Sequence, residues 1–170
     1  MTDQPDKIAR WMIWGGWIIG ISLLTVFFNK QIENFQNPNR DVTADAIADS
    51  DDAVKLIRNR SGHYVAGGLI NGEKVVFIVD TGASDVSIPA NIARHLKLNK
   101  GLPVRYLTAN GSVTGFQTVL DEVQLGNIVL NNVRGGINPG MNGKHILLGM
   151  SFLKQLEFTQ RGNVLLLKKR

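Results

Sequence analysis

The chain has 170 residues, 44% of them hydrophobic, enough for one modest domain with accessory segments. It has no cysteine, which excludes disulfides, thiol catalysis and cysteine-based zinc sites. The formal charge of +5 is concentrated in residues 63–170, but only Lys168, Lys169 and Arg170 are contiguous and no basic residues interleave with aromatics, so a solvated tail is expected and nucleic acid is not.

Residues 1–10 carry Lys7 and Arg10 and read as a flank. From Trp11 to Phe28 there is no charge. As a helix this run spans roughly 27 Å, close to the hydrocarbon core of a bilayer at about 30 Å. Trp11, Trp14 and Trp17 crowd one end, where aromatic rings favour the membrane interface. Gly16 and Gly20 form a small-xxx-small pair that lets two helices approach. A cleaved signal peptide competes with an anchor, but the apolar run ends in Val26-Phe27-Phe28, too bulky for a cleavage site. Residues 11–29 are therefore expected to be a transmembrane helix. Lys7, Arg10 and the α-amine outweigh Lys30, so the positive-inside rule puts residues 1–10 in the cytoplasm. The bulk of the chain then lies outside it, in the periplasm if the host is Gram-negative, on a single-pass anchor in the inner membrane.

Residues 30–62 read as a linker. They are polar around Pro38 and acidic from Asp45 to Asp52. Val42, Ile47, Val54, Leu56 and Ile57 suggest a short helix over 44–57, with an imperfect period.

From residue 63 onward short strands alternate with turn signals. A strand over 64–70 leads through Asn71-Gly72, a two-residue hairpin signal, into an apolar strand over 74–79, expected to be buried on both faces. After a turn at Asp80-Thr81-Gly82 come a strand over 85–88 and a helix over 90–98, with Pro89 at its start. Asn110-Gly111 joins strands over 105–109 and 112–119. Gly126-Asn127 joins strands over 121–125 and 128–133. A loop over 138–143, a strand over 145–148, a helix over 150–156 and a last strand over 164–167 complete the domain. Gly67-Gly68 and Gly135-Gly136 lack the strand–helix context of phosphate loops and read as bulges or turns. His63, His95 and His145 are too scattered for metal ligation, so neither metal nor cofactor is expected. The fold class is mainly β, a small barrel.

Asp80 is where the chemistry concentrates. A β-branched apolar strand delivers one carboxylate to a tight turn of a hydroxyl, a glycine and small residues. Peptide hydrolysis by carboxylates needs a water between two of them, one ionised to take a proton and one protonated to polarise the carbonyl. Two carboxylates about 3 Å apart cannot both ionise and so share a proton. The triplet occurs once, so a second subunit must supply the other carboxylate. Gly82 lets the backbone approach and offers its N–H to the carboxylate. Thr81 is suited to hydrogen-bond across a twofold axis. Ala83 leaves room, and Ser84 is suited to hydrogen-bond the outer carboxylate oxygen or the substrate backbone. Alone, the triplet also fits a strand-end aspartate in an Asx-turn.

Three segments in order, VVFIVDTGASDVSIP, RYLTANGSVTGF and HILLGMSFLKQLEF, make the chain resemble the retropepsin-like aspartic proteases of clan AA, specifically bacterial members with a single N-terminal membrane anchor. The likeness covers residues 64–168. It implies a closed, mainly β barrel acting as a homodimer, with no cofactor and a protein or peptide substrate. It implies Asp80, Thr81 and Gly82 as the catalytic motif and a flap at the Asn110-Gly111 hairpin. Leu107, Asn110, Gly111 and Val113 would then contact substrate together with Ala83, Ser84 and Asp85. Retroviral members usually carry Asp where Ser84 stands, and their flaps are often richer in glycine than Gly111 and Gly115 make this one. Residues 63–170 are on this reading a protease domain. A dimeric domain of the same fold that binds peptides without cleaving them is the alternative.

Overall fold

Period-two alternation decides the strands. The computed structural model describes residues 5–40, 42, 53–108 and 111–170. It divides into two units, Met1–Gln36 and Asn37–Arg170.

The first unit is a helix, α1 (Pro5–Gln36). Within it Ala9–Asn29, 21 residues, is long and apolar enough to cross a membrane, and none of it is buried against protein. Its two hydroxyls are satisfied by the helix itself: Ser22 Oγ donates to the Ile18 carbonyl at 2.7 Å and Thr25 Oγ1 to that of Ile21 at 2.8 Å. Internal pairing of this kind is what a polar group in hydrocarbon requires. The helix runs on through residues 30–36, which the sequence suggested as linker.

The second unit holds β1 (Ala53–Ile57), β2 (Val65–Ile70), β3 (Glu73–Val79), β4 (Val86–Pro89), α2 (Ala90–His95), β5 (Pro103–Thr108), β6 (Gly111–Leu125), β7 (Ile128–Asn138), β8 (His145–Leu148), α3 (Met150–Leu153), β9 (Leu156–Arg161) and β10 (Val164–Lys169). One sheet runs β2-β3-β8-β4-β7-β6-β5. It closes because β6 also pairs with β2, Leu69 opposite Gln124 and Ile70 opposite Val123. β5 stays outside the ring, paired only with the first half of β6. The β3–β8 and β4–β7 pairs are parallel. Phe77, Ile88, Leu120, Ile137, Ile146, Leu148 and Phe152 fill the interior. Full burial of each such side chain contributes about 1.5–3 kcal/mol.

A second antiparallel sheet, β1-β10-β9, adds Val54, Leu56, Leu165 and Leu167 to the same core. The helix expected over 44–57 is thereby corrected at its described end: Val54 and Leu56 point inward while Lys55 and Ile57 are exposed, a strand's period. Residues 43–52 lie outside the described residues. Asn39 ties this part to the barrel. Its buried side chain accepts from the Ile57 N–H at 2.7 Å and donates to the carbonyls of Ile57 and Val65 at 2.9 and 2.7 Å.

Other boundaries moved. In β3 only Phe77 is fully buried; Val75, Val76, Ile78 and Val79 are half-buried, so the strand is not covered on both faces within one chain. Asn71 and Gly72 both have positive φ, 51° and 81°, as the turn required. α2 stops at His95 instead of residue 98, and Pro89 takes the N-cap position as the last residue of β4. α3 is one turn, and Leu156 opens β9, a strand whose remaining residues are all exposed. Gly67-Gly68 and Gly135-Gly136 are not turns; both lie inside paired strands.

Candidate active site

Asp80 sits immediately beyond the end of β3, half-buried. Its N–H donates to the Leu148 carbonyl at 3.2 Å, so the parallel β3–β8 ladder fixes the start of the loop. The chain then turns tightly. The Gly82 N–H donates to Asp80 Oδ1 at 2.9 Å, and that of Ala83 to the Asp80 carbonyl at 3.3 Å. A Cβ on Gly82 would lie 3.2 Å from that same Oδ1, so the glycine's service is close approach with its N–H aimed at the carboxylate. Thr81, Gly82 and Ser84 face solvent; Ala83 and Asp85 are half-covered.

The rest of the loop is clamped from below. The first N–H groups of α3, which have no partner inside the helix, take loop carbonyls: Met150 N–H to Ala83 at 2.8 Å and Ser151 N–H to Ser84 at 2.9 Å. Gly149 passes so close that a Cβ there would come within 2.6 Å of the Ala83 oxygen. Ser151 Oγ accepts from the Val86 N–H at 3.0 Å and donates to the Arg134 carbonyl at 2.6 Å. Asp85 is held by Arg134, Nε to Oδ1 at 2.6 Å; the carboxylate side chain is 11% exposed and the arginine 60%.

The β5–β6 hairpin is the segment expected from sequence to act as a flap. Its tip residue Asn110 lies outside the described residues, with Ala109; Gly111 has φ +103°. Leu107 pairs with Ser112 and Tyr106 with Val113. Directly paired residues share a face and neighbouring pairs alternate, so Leu107 and Val113 lie on opposite faces and do not meet a substrate together. Leu107 is 89% exposed, while Val113 lies over Gly140. Tyr106 bends back over Gly115 and Gly136. Burial, and then the Asp85 carboxylate, push its phenol above the ordinary tyrosine value, against an opposing pull from Arg134.

The structure thus brings Asp80, Gly82, Ala83, Ser84 and Asp85 into one braced loop, with Thr81 exposed on it. Arg134, Ser151 and Tyr106 were not singled out from sequence. Ser151 stood in the quoted HILLGMSFLKQLEF segment and Tyr106 in RYLTANGSVTGF, neither with a role given; nothing in the local pattern marks Arg134.

Residues 66–155 match the family model described as gag-polyprotein putative aspartyl protease. The crystal structure of a retropepsin-like aspartic protease from Rickettsia conorii superposes with a TM-score of 0.59 at 32% identity, over 69% of this chain and 90% of that one. The chain belongs to the retropepsin-like aspartic protease family. An uncharacterized protein in the cobV 5′ region of a Sinorhizobium species is 28% identical over 169 residues, covering 91% of this chain and 68% of that protein. A second, from Rickettsia prowazekii (strain Madrid E), is 36% identical over 107 residues, 61% of this chain. The match spans 46% of that relative's length.

Proposed function

We propose that this chain is an aspartic endopeptidase, active as a homodimer and anchored in the cytoplasmic membrane by α1 with its β unit in the periplasm. The observation that carries the reading is the Asp80 loop: a half-buried carboxylate, bonded to the Gly82 N–H and braced by β8 and α3, present once in the chain. One such loop is half of a site. Two copies about a twofold axis bring two Asp80 carboxylates together, which then hold one proton between them and titrate as a pair. The ionised member takes a proton from the water as it attacks, and the protonated member hydrogen-bonds the peptide carbonyl. Thr81 ties the two loops across the axis. Ser84 and Asp85 offer polar groups to the substrate backbone, and the hairpin around Asn110, Gly111 and Val113 covers it. Family membership supports the protease activity, and the length and apolarity of α1 support the anchor.

The test is cleavage of unfolded casein at mildly acidic pH by the protein and by its Asp80→Asn variant, with circular dichroism of each. The variant keeps the volume but loses the shared proton and charge. Wild-type cleavage, with a loss in Asp80→Asn of at least about a hundredfold at unchanged fold, is the expected result. A folded variant that retains its rate removes Asp80 from the chemistry, and a wild type that binds casein without cutting it turns the reading into that of a peptide-binding domain.

A further inference from the structure

Register carries the outer face of the sheet from Asp80 to β7. Ile78 pairs with Leu147 across β3–β8, Leu147 with Ser87 across β8–β4, and Ser87 with Gly136 across β4–β7. Paired residues share a face, and successive residues alternate between faces. Their neighbours Phe77, Ile146, Ile88 and Ile137 are buried in the core, so these four positions look outward. Asp80 is the next outward position after Ile78, its N–H bonded to the Leu148 carbonyl at 3.2 Å. Arg134 is the outward position before Gly136. β7 runs antiparallel to β3, because the β3–β8 and β4–β7 pairs are parallel and β8–β4 is antiparallel. The two steps therefore go the same way. Asp80 and Arg134 stand level on one face, three strand spacings apart, about 14 Å. The contacts between them agree. A Cβ on Gly149 would touch the Asp85 carbonyl, and Asp85 Oδ1 accepts from Arg134 Nε at 2.6 Å.

The Asp85–Arg134 pair is neutral as a sum, but it presents only one of its charges. The aspartate side chain is 11% exposed and the arginine 60%, so a molecule lying on this face meets the guanidinium. Arginine has five N–H donors in a planar fork. The one on Nε is used for Asp85; the terminal nitrogens make no bond among the described residues. The strand beneath is fixed, since Ser151 Oγ donates to the Arg134 carbonyl at 2.6 Å. Tyr106 fills the face over Gly136. One level on, Val119 is paired opposite Arg134 on β6, is itself 60% exposed, and leaves the arginine uncovered.

We propose that Arg134 is a specificity residue: its guanidinium pairs with an acidic side chain of the substrate, three or four residues from the scissile bond. The inference rests on the peptidase reading. A peptide that crosses the strands from Asp80 toward β7 in extended form advances about 3.3 Å per residue. Fourteen ångströms is then about four residues, and the lean of the guanidinium toward Asp85 brings the contact to the third or fourth. The free terminal nitrogens can take a carboxylate in two parallel bonds. A twofold dimer repeats the contact on the far side of the scissile bond, so acidic residues are favoured on both sides.

The experiment uses the full chain in detergent micelles and a casein-derived peptide that it cuts. Glu, Gln or Lys is placed in turn at each of the four positions on either side of the scissile bond. The pH is kept above about 5, where a glutamate of ordinary pKa, about 4.3, is charged. Wild type should cut the Glu peptides about threefold to fivefold faster in kcat/KM than the Gln peptides at the third or fourth position on both sides, the worth of one exposed ion pair. The ratio should shrink toward one as salt is raised to about 1 M. In Arg134→Gln it should be one at low salt too. The ratio is taken within one enzyme, so a general loss of activity from a loosened loop cancels. A second variant, Val119→Glu, covers an Arg134→Gln chain that does not fold: its carboxylate, directly opposite on β6, should occupy the guanidinium and bring the ratio toward one. Equal rates for Glu and Gln in wild type overturn the proposal. So does faster cutting of the Lys peptides, which would give the subsite to Asp85. A Glu preference that survives in a folded Arg134→Gln, or is unchanged in Val119→Glu, overturns it as well. A wild type without peptidase activity overturns the reading beneath it and this inference with it, whereas an active wild type indifferent to Glu overturns this inference alone.

Discussion

Ser151 shows how much of the site depends on one hydroxyl. Its Oγ accepts from Val86 and donates to the Arg134 carbonyl, joining the exit of the Asp80 loop to β7. Both backbone groups are left without that partner in Ser151→Ala. An unsatisfied buried group costs about 1–3 kcal/mol, so the substitution should lower unfolding free energy by roughly 2 kcal/mol in a urea titration and reduce peptidase activity through the loop. A loss under about 0.5 kcal/mol, the size of an ordinary surface change, would mean that the clamp contributes little. The same contrast separates what was legible at this scale from what was not. Asp80 and Gly82 act on one another across two positions, so their relation is written locally. Arg134 reaches Asp85 across 49 positions and Ser151 reaches Val86 across 65, through strand pairings that no local pattern encodes.

Elements were legible where the pattern was strong. The hairpins at Asn71-Gly72 and Gly126-Asn127, the strand entering Asp80 and the short strand and helix around Gly149 all stand close to where the residues suggested. β1 was mistaken for helix because five residues with Val54, Leu56 and Ile57 fit either period at that length. β9 was missed because an edge strand with only Leu156 buried has no apolar face to read. Asn39 was unreadable as a structural residue because its partners, Ile57 and Val65, lie 18 and 26 positions away. α1 is the element whose role rests most on composition, and its proposed orientation follows from Lys7 and Arg10 against Lys30. A reporter active only in the periplasm, fused after Arg170, should therefore be active, and a cytoplasmic reporter at the same site silent. The opposite pair of results would invert the topology.

At the scale of the whole molecule, the closed ring of strands leaves one braced carboxylate loop per chain, and the half-buried side chains of β3 beside it remain uncovered within that chain. The barrel was foreseeable from many short strands and turn signals; its closure through β2 and β6, and the docking of β1 beside β10, depend on pairings between distant segments. Everything proposed for function turns on Asp80 being needed twice. The direct test mixes chains: wild type and Asp80→Asn, refolded together in equal amounts, are assayed at fixed total concentration. If each active site needs Asp80 from both partners of a twofold dimer, random assortment leaves about a quarter of the wild-type rate. If a single subunit cuts by itself, about half remains, because symmetry then plays no part in the site, and that result would contradict the account.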